Sequence, residues 1–66
     1  MHLTINGTKH EASDGSTLPM VLAQLGLEGK PCAVELNTNV VPKAQHDACT
    51  LADGDVLEIV TLVGGG

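Results

Sequence analysis

The sequence predicts an α+β fold in which a mixed sheet of about five strands packs on one helix. Short segments alternate between apolar and polar residues with the period of a half-buried strand, and one segment has the apolar spacing of a helix. Glycine and proline separate these segments into the order strand, strand, helix, strand, strand, strand. A chain of 66 residues accommodates one domain. We place this domain at residues 1–63 and a flexible glycine tail at residues 64–66.

The first two strands are predicted to form a hairpin. Residues 1–6 alternate so that Leu3 and Ile5 share one face. Asn6-Gly7 follows, and both residues favour the positive φ that a tight hairpin turn requires. The returning segment, residues 8–12, is polar enough for a strand at the edge of a sheet.

The helix is predicted to begin after Thr17, which is a suitable N-cap, with Pro19 in the first turn. Gly26 is expected to end it. One apolar stripe faces the core and consists of Leu18, Val21, Leu22 and Leu25.

The second half of the chain supplies three more strands. Residues 32–36 form one strand and residues 40–41 a brief one, followed by a helical or irregular connector over residues 43–50. Leu51 is expected to cap the core from outside the sheet. Residues 56–63 are the most hydrophobic strand, and their apolar side chains on both faces predict a central strand covered at least partly on each side.

Composition and charge exclude several functional classes. The chain has no Phe, Tyr or Trp, and eight acidic residues against three basic ones give a net charge of −5. Binding to nucleic acids or to anionic membrane surfaces requires clustered basic residues, so neither is an expected partner. The net negative charge favours a positively charged protein as the partner instead. No membrane-spanning run or secretory signal is visible, which predicts a cytoplasmic protein. The thin core leaves little room for a catalytic pocket, so a self-contained enzyme is not expected.

The two cysteines, Cys32 and Cys49, are expected to be reduced and to act as small apolar fillers. Their spacing matches no zinc framework. His46 and Cys49 lie three residues apart but supply only two ligands, whereas a closed zinc site needs four, so no metal is predicted. Persulfide chemistry on one of the cysteines is an alternative to this filler role.

Gly64, Gly65 and Gly66 come directly after the predicted central strand. Three glycines extend up to about 10 Å, and without Cβ atoms they can enter a slot too narrow for side chains. A carboxylate at Gly66 could attack the α-phosphate of ATP, and the resulting acyl-adenylate could accept a sulfur, thiol or amine nucleophile. No phosphate-binding loop or basic cluster is present, so another protein would have to bind the ATP.

Taken together, these features resemble the ubiquitin-like β-grasp sulfur carriers, and within them the ThiS family of thiamine biosynthesis. The resemblance covers essentially the whole chain, and the family's essential feature is the glycine pair, here Gly65-Gly66. The motifs that carry it are residues 1–7, Thr17-Leu18, residues 34–37 followed by 40–42, residues 53–60, and Val63 with the three glycines.

The resemblance implies a fold, a chemistry and partners. The fold is a β-grasp, and the chain is a protein cosubstrate that binds no cofactor itself. An E1-like adenylyltransferase of the ThiF type uses ATP and Mg²⁺ to adenylate the carboxylate of Gly66. Sulfur from cysteine, delivered by a desulfurase and persulfide relay, then leaves a thiocarboxylate, from which a ThiG-type thiazole synthase takes the sulfur. Gly64 and Gly65 thread into the partner, and the expected docking residues are the exposed members of Leu57, Ile59, Thr61 and Val63.

Three other functions share this pattern. The small subunit of molybdopterin synthase has the same fold and glycine ending, although shortness and the lack of aromatic residues favour the thiamine pathway. A protein modifier that forms isopeptide bonds would use the same carboxyl activation. A non-covalent interaction module would use a face of the sheet and would not need the glycines.

Overall fold

The computed structural model describes residues 1–62. Its five-stranded sheet has the spatial order β2-β1-β5-β3-β4. The elements are β1 (His2–Ile5), β2 (Thr8–Glu11), α1 (Leu18–Gln24), β3 (Cys32–Leu36), β4 (Asn39–Val40), a 3₁₀ turn (Lys43–Gln45) and β5 (Val56–Thr61). β1 is parallel to β5, and the other pairings are antiparallel, so the predicted mixed sheet with one helix is confirmed.

The predicted hairpin is present. Asn6 has a φ of 51° and Gly7 a φ of 81°, as the two central positions of this turn require. The ladder between β1 and β2 runs from the pair His2–Glu11 to the pair Ile5–Thr8. Leu3 and Ile5 are both buried, which confirms the prediction that they share one face of β1.

The helix lies where the sequence predicts it, but its start is held differently. Thr17 occupies the N-cap position without a side-chain hydrogen bond to the helix. Its backbone forms a bridge with Thr50, and the N–H of Leu18 donates to the carbonyl of Cys49 at 2.8 Å. This backbone pairing satisfies a free N–H of the first turn, which a side-chain cap would otherwise do. Gly26, with a φ of 78°, follows the last turn.

The core lies between α1 and one face of the sheet. Its buried apolar residues are Leu3, Ile5, Leu18, Val21, Leu22, Val34, Leu51, Leu57 and Ile59. Leu51 is among them, as predicted, whereas Leu25 is only partly buried at the end of the helix. A seven-residue helix spans about 10 Å, which is enough to cover part of one sheet face.

The expectation that β5 is covered on both faces is wrong. β5 is central, but Val56 and Val60 are 44% and 60% exposed, while Leu57 and Ile59 on the other face are buried. The reason is that α1 and the connector both pack on the inner face. Successive side chains of a strand point to opposite faces, so every second residue of β5 faces away from the core.

The remaining connections differ from the prediction by small shifts. β4 begins one residue earlier than predicted, and the connector contains a single 3₁₀ turn.

None of the helices within residues 1–62 has the length and apolar character needed to cross a bilayer.

Candidate functional site

The candidate site is the end of β5, which leads to the predicted glycine tail. The ladder between β3 and β5 continues to the pair Cys32–Thr61, and the N–H of Leu62 donates to the carbonyl of Pro31 at 3.0 Å. The backbone is therefore held by β3 up to Leu62. Val63, Gly64, Gly65 and Gly66 lie outside the described residues, so their roles and the domain boundary at residue 63 stay predictions.

The side chain of Asn6 is hydrogen-bonded to β5 on the edge opposite β3. Its side-chain Nδ2 donates to the carbonyl of Ile59 at 3.0 Å, and the N–H of Ile59 donates to its Oδ1 at 2.7 Å. β1 ends at Ile5, so the Asn6 amide continues the sheet's hydrogen bonding where the strand itself has stopped. Sequence reasoning assigned Asn6 only to the turn, because a contact across 53 positions leaves no local signal.

Replacing Asn6 with alanine is expected to lower the free energy of unfolding by about 1–3 kcal/mol, because both backbone groups of Ile59 lose a hydrogen-bond partner and because alanine is strained at the positive φ of this position. Urea unfolding followed by circular dichroism measures this as a lower midpoint. Asn39→Ala is the matched control, since the Asn39 amide makes one exposed contact of 3.5 Å. Equal midpoints for the two variants would contradict the assignment.

The structure removes two of the four residues whose exposed members were expected to dock. Leu57 is 0% exposed and Ile59 is 7% exposed, because both side chains pack against the core. Neither presents a surface to a partner in this fold. Thr61 is exposed, and Val63 lies outside the described residues.

The side of β5 that faces solvent belongs to a larger surface, which we call the open face. The register of β3 with β5 and of β3 with β4 brings the outward residues of three strands together. Four of them are apolar and two are glutamates; they are Ala33, Glu35, Val40, Val56, Glu58 and Val60. The open face was not predicted, because its side chains come from three separate segments of the chain.

The two glutamates of the open face are direct neighbours. Glu35 of β3 is paired with Glu58 of β5 in the antiparallel ladder, which places their Cβ atoms about 4.5–5.5 Å apart. None of the salt bridges within residues 1–62 involves either glutamate. Lys9 of β2 is in register with Thr4, which pairs with Val56 rather than with Glu58. The carboxylate pair therefore has no cationic partner in the described part of the chain.

Both cysteines are free thiols that pack against the core. Cys32 lines a cavity of about 250 Å³ together with Lys30, Lys43 and His46, and its thiol donates to the carbonyl of Lys30 at 3.4 Å. Burial raises the pKa of the Cys49 thiol, and the carboxylate of Asp55 raises it further. A thiol with a raised pKa is a weak nucleophile at neutral pH. Within residues 1–62, no three His, Cys, Asp or Glu side chains are placed to hold a metal ion.

Comparison with known proteins adds to this geometry. The model of the ThiS family matches residues 3–66. The chain is 42% identical over 53 residues to the sulfur carrier protein ThiS of Bacillus subtilis, covering 80% of each protein. It is 41% identical to a thiazole synthase of Paramagnetospirillum magneticum over the whole of this chain, which spans 20% of that protein's length. The crystal structure of a thiamine biosynthesis protein (ThiS) from Geobacter metallireducens superimposes with a TM-score of 0.83 at 32% identity, covering all of both chains.

A mixed five-stranded sheet with one helix on its inner face and glycines following its central strand defines a ubiquitin-like β-grasp protein. The matches to the family model and to its members go further than the fold. The chain belongs to the ThiS family.

Proposed function

We propose that this chain is a sulfur carrier of thiamine biosynthesis that works through the carboxylate of Gly66, and that it is a cosubstrate rather than an enzyme. The observation that carries the proposal is the family match, which runs through residue 66 and so includes the three glycines after the central strand. The sulfur carrier name of the Bacillus subtilis relative and the thiamine biosynthesis name of the structural neighbour support the pathway.

The chemistry proceeds in two stages. In the first, an oxygen of the Gly66 carboxylate attacks the α-phosphorus of ATP, and pyrophosphate leaves, so that an acyl-adenylate forms. In the second, the terminal sulfur of a persulfide attacks the acyl carbon and AMP leaves. A thiol then cleaves the S–S bond of the acyl disulfide and is itself oxidised to a disulfide, which leaves the thiocarboxylate. A ThiF-type adenylyltransferase supplies the ATP and Mg²⁺ site, and a desulfurase relay supplies the persulfide.

The described part of the chain contributes a rigid base for this chemistry. β5 is hydrogen-bonded to β1 and β3, and Asn6 continues that support to Ile59. A strand held on both sides has a fixed position and direction up to its last described residue. Glycines beyond it can then follow the backbone path that an active-site slot imposes.

Thiazole synthase is the acceptor that the comparisons favour. The thiazole synthases of Paramagnetospirillum magneticum and Magnetococcus marinus each contain a segment similar to this whole chain, at 41% and 38% identity. A carrier segment and an acceptor enzyme within one polypeptide meet at high effective concentration. We therefore propose a ThiG-type thiazole synthase, rather than molybdopterin synthase, as the enzyme that consumes the thiocarboxylate.

Intact-mass spectrometry tests the proposal. The chain is incubated with a ThiF-type adenylyltransferase, ATP, Mg²⁺, a cysteine desulfurase, cysteine and a thiol. Exchange of one carboxylate oxygen for sulfur is expected to add about 16 Da, and fragmentation is expected to place the increase at Gly66. A native protein that continues past residue 66 without processing, or a mass increase at any other residue, would contradict the proposal.

Replacing Cys32 and Cys49 together with alanine separates carboxylate from persulfide carriage. The double variant is expected to acquire the same 16 Da increase, roughly as fast as the wild-type chain, because neither thiol takes part in the carboxylate route. A persulfide on either thiol would instead add about 32 Da to the wild-type chain and would be reversed by a reductant. Loss of sulfur loading in the double variant, with the circular dichroism spectrum unchanged, would show that a cysteine rather than the Gly66 carboxylate carries the sulfur.

A further inference from the structure

The open face is an apolar surface that the described chain leaves uncovered. Val40 is 70% exposed, and Val56 and Val60 are about half exposed. Ala33 lies opposite Val60 in the ladder, so these side chains adjoin one another across three strands. Exposed apolar patches of this kind, rimmed by polar residues, mark sites of protein–protein contact.

Two like charges lie inside this apolar surface. Glu35 and Glu58 face each other, with Val40 on one side and with Val56 and Val60 along β5. Like charges directly opposite each other destabilise a sheet. A cation placed between them would replace the repulsion with two attractions. Those attractions would strengthen when the surrounding apolar residues exclude water, because the effective dielectric constant falls.

We propose that the open face binds a protein surface on which apolar side chains surround one arginine or lysine, and that this cation lies between Glu35 and Glu58. Arginine suits the site best, because its planar group can donate to two carboxylates at once. The inference rests on the proposed function only in that the two enzymes named there are the proteins to be tested.

A second copy of this chain is the wrong occupant on electrostatic grounds. Two open faces brought together would place four carboxylates in one interface with no cation among them. The net charge of −5 on each chain adds a long-range repulsion. A partner of opposite local charge has neither cost, and its approach would be accelerated by the same field.

The test compares Glu35→Gln/Glu58→Gln with the wild-type chain in calorimetric binding to a ThiF-type adenylyltransferase and a ThiG-type thiazole synthase. For at least one enzyme, the double variant is expected to raise Kd about tenfold or more and to reduce its dependence on salt. Glu28→Gln/Asp47→Asn is the matched control, because it also removes two carboxylate charges, from exposed residues outside the open face, and should leave Kd unchanged. The thermal midpoint of the double variant is expected to equal or exceed that of the wild type, since a repulsion has been removed.

Two results would overturn the inference: unchanged Kd values of the double variant for both enzymes, or self-association of the wild-type chain that the double variant strengthens. The mass assay separates this inference from the proposed function. Normal sulfur loading together with charge-insensitive binding overturns the docking inference alone. Charge-sensitive binding of a chain that never gains sulfur overturns the carboxylate chemistry alone.

Discussion

Replacing Leu57 with alanine is expected to reduce the free energy of unfolding by about 2–5 kcal/mol. Leu57 is 0% exposed and lies on the central strand, in register with Ile5 of β1 and Leu36 of β3. Its loss removes packing from the middle of the core, where the neighbouring strands are hydrogen-bonded and cannot close the cavity. Small domains have only about 0.05–0.15 kcal/mol of stability per residue, or roughly 3–10 kcal/mol for 66 residues, so this loss is a large share of the total stability.

Urea unfolding followed by circular dichroism measures this loss. Val60→Ala is the control, because Val60 is on the same strand but faces solvent, and its cost should stay below about 1 kcal/mol. Similar midpoints for the two variants would show that the two faces of β5 have been assigned wrongly. A cost confined to Leu57→Ala would support a core on the inner face alone.

Removing Gly65 and Gly66 is expected to abolish sulfur loading completely while leaving the fold unchanged. The carboxylate of the shortened chain would end two residues nearer the domain, a retreat of roughly 7 Å, and would no longer reach an active site shaped for the full tail. The core within residues 1–62 involves neither residue, so the circular dichroism spectrum and unfolding midpoint should match those of the full chain. Intact-mass spectrometry after incubation with the activating enzymes provides the measurement.

A chain of full length with its Gly66 carboxylate converted to a carboxamide provides the control for length. It is expected to remain unloaded, because an amide does not attack ATP as a carboxylate does. Sulfur loading of the amidated chain would show that the reactive group is elsewhere. A shortened chain that still supports the biological function would instead favour the non-covalent interaction module.

Local patterns predicted most of the secondary structure. β3 has the predicted bounds, and the Asn6-Gly7 turn has the expected positive φ angles. Both depend on neighbours within a few residues, where alternation and turn preference act directly. The N-cap of α1 shows the limit of such reasoning. Thr17 occupies the predicted position, but the free N–H of Leu18 is satisfied by Cys49, which local preference cannot anticipate.

The docking residues show the same limit at the candidate site. Only the exposed members of a set of four residues were expected to contact a partner, and the structure shows that Leu57 and Ile59 are buried. The sequence left this choice open because the hydrophobicity of β5 does not say which of its faces the helix covers. The choice of face follows from the pairing of β5 with β1 and β3. The glycines were found from the sequence alone, because their meaning lies in their composition and in their place after the last strand.

The sequence by itself determined the strand and helix order, the apolar stripe of α1 and the three glycines at residues 64–66. Each of these depends on residue type and short-range spacing. Only the tertiary structure decided that β5 is covered on one face, that Asn6 holds Ile59, and that Glu35 lies opposite Glu58. These contacts join segments more than twenty residues apart, and strand register brings them together only when the whole sheet has formed.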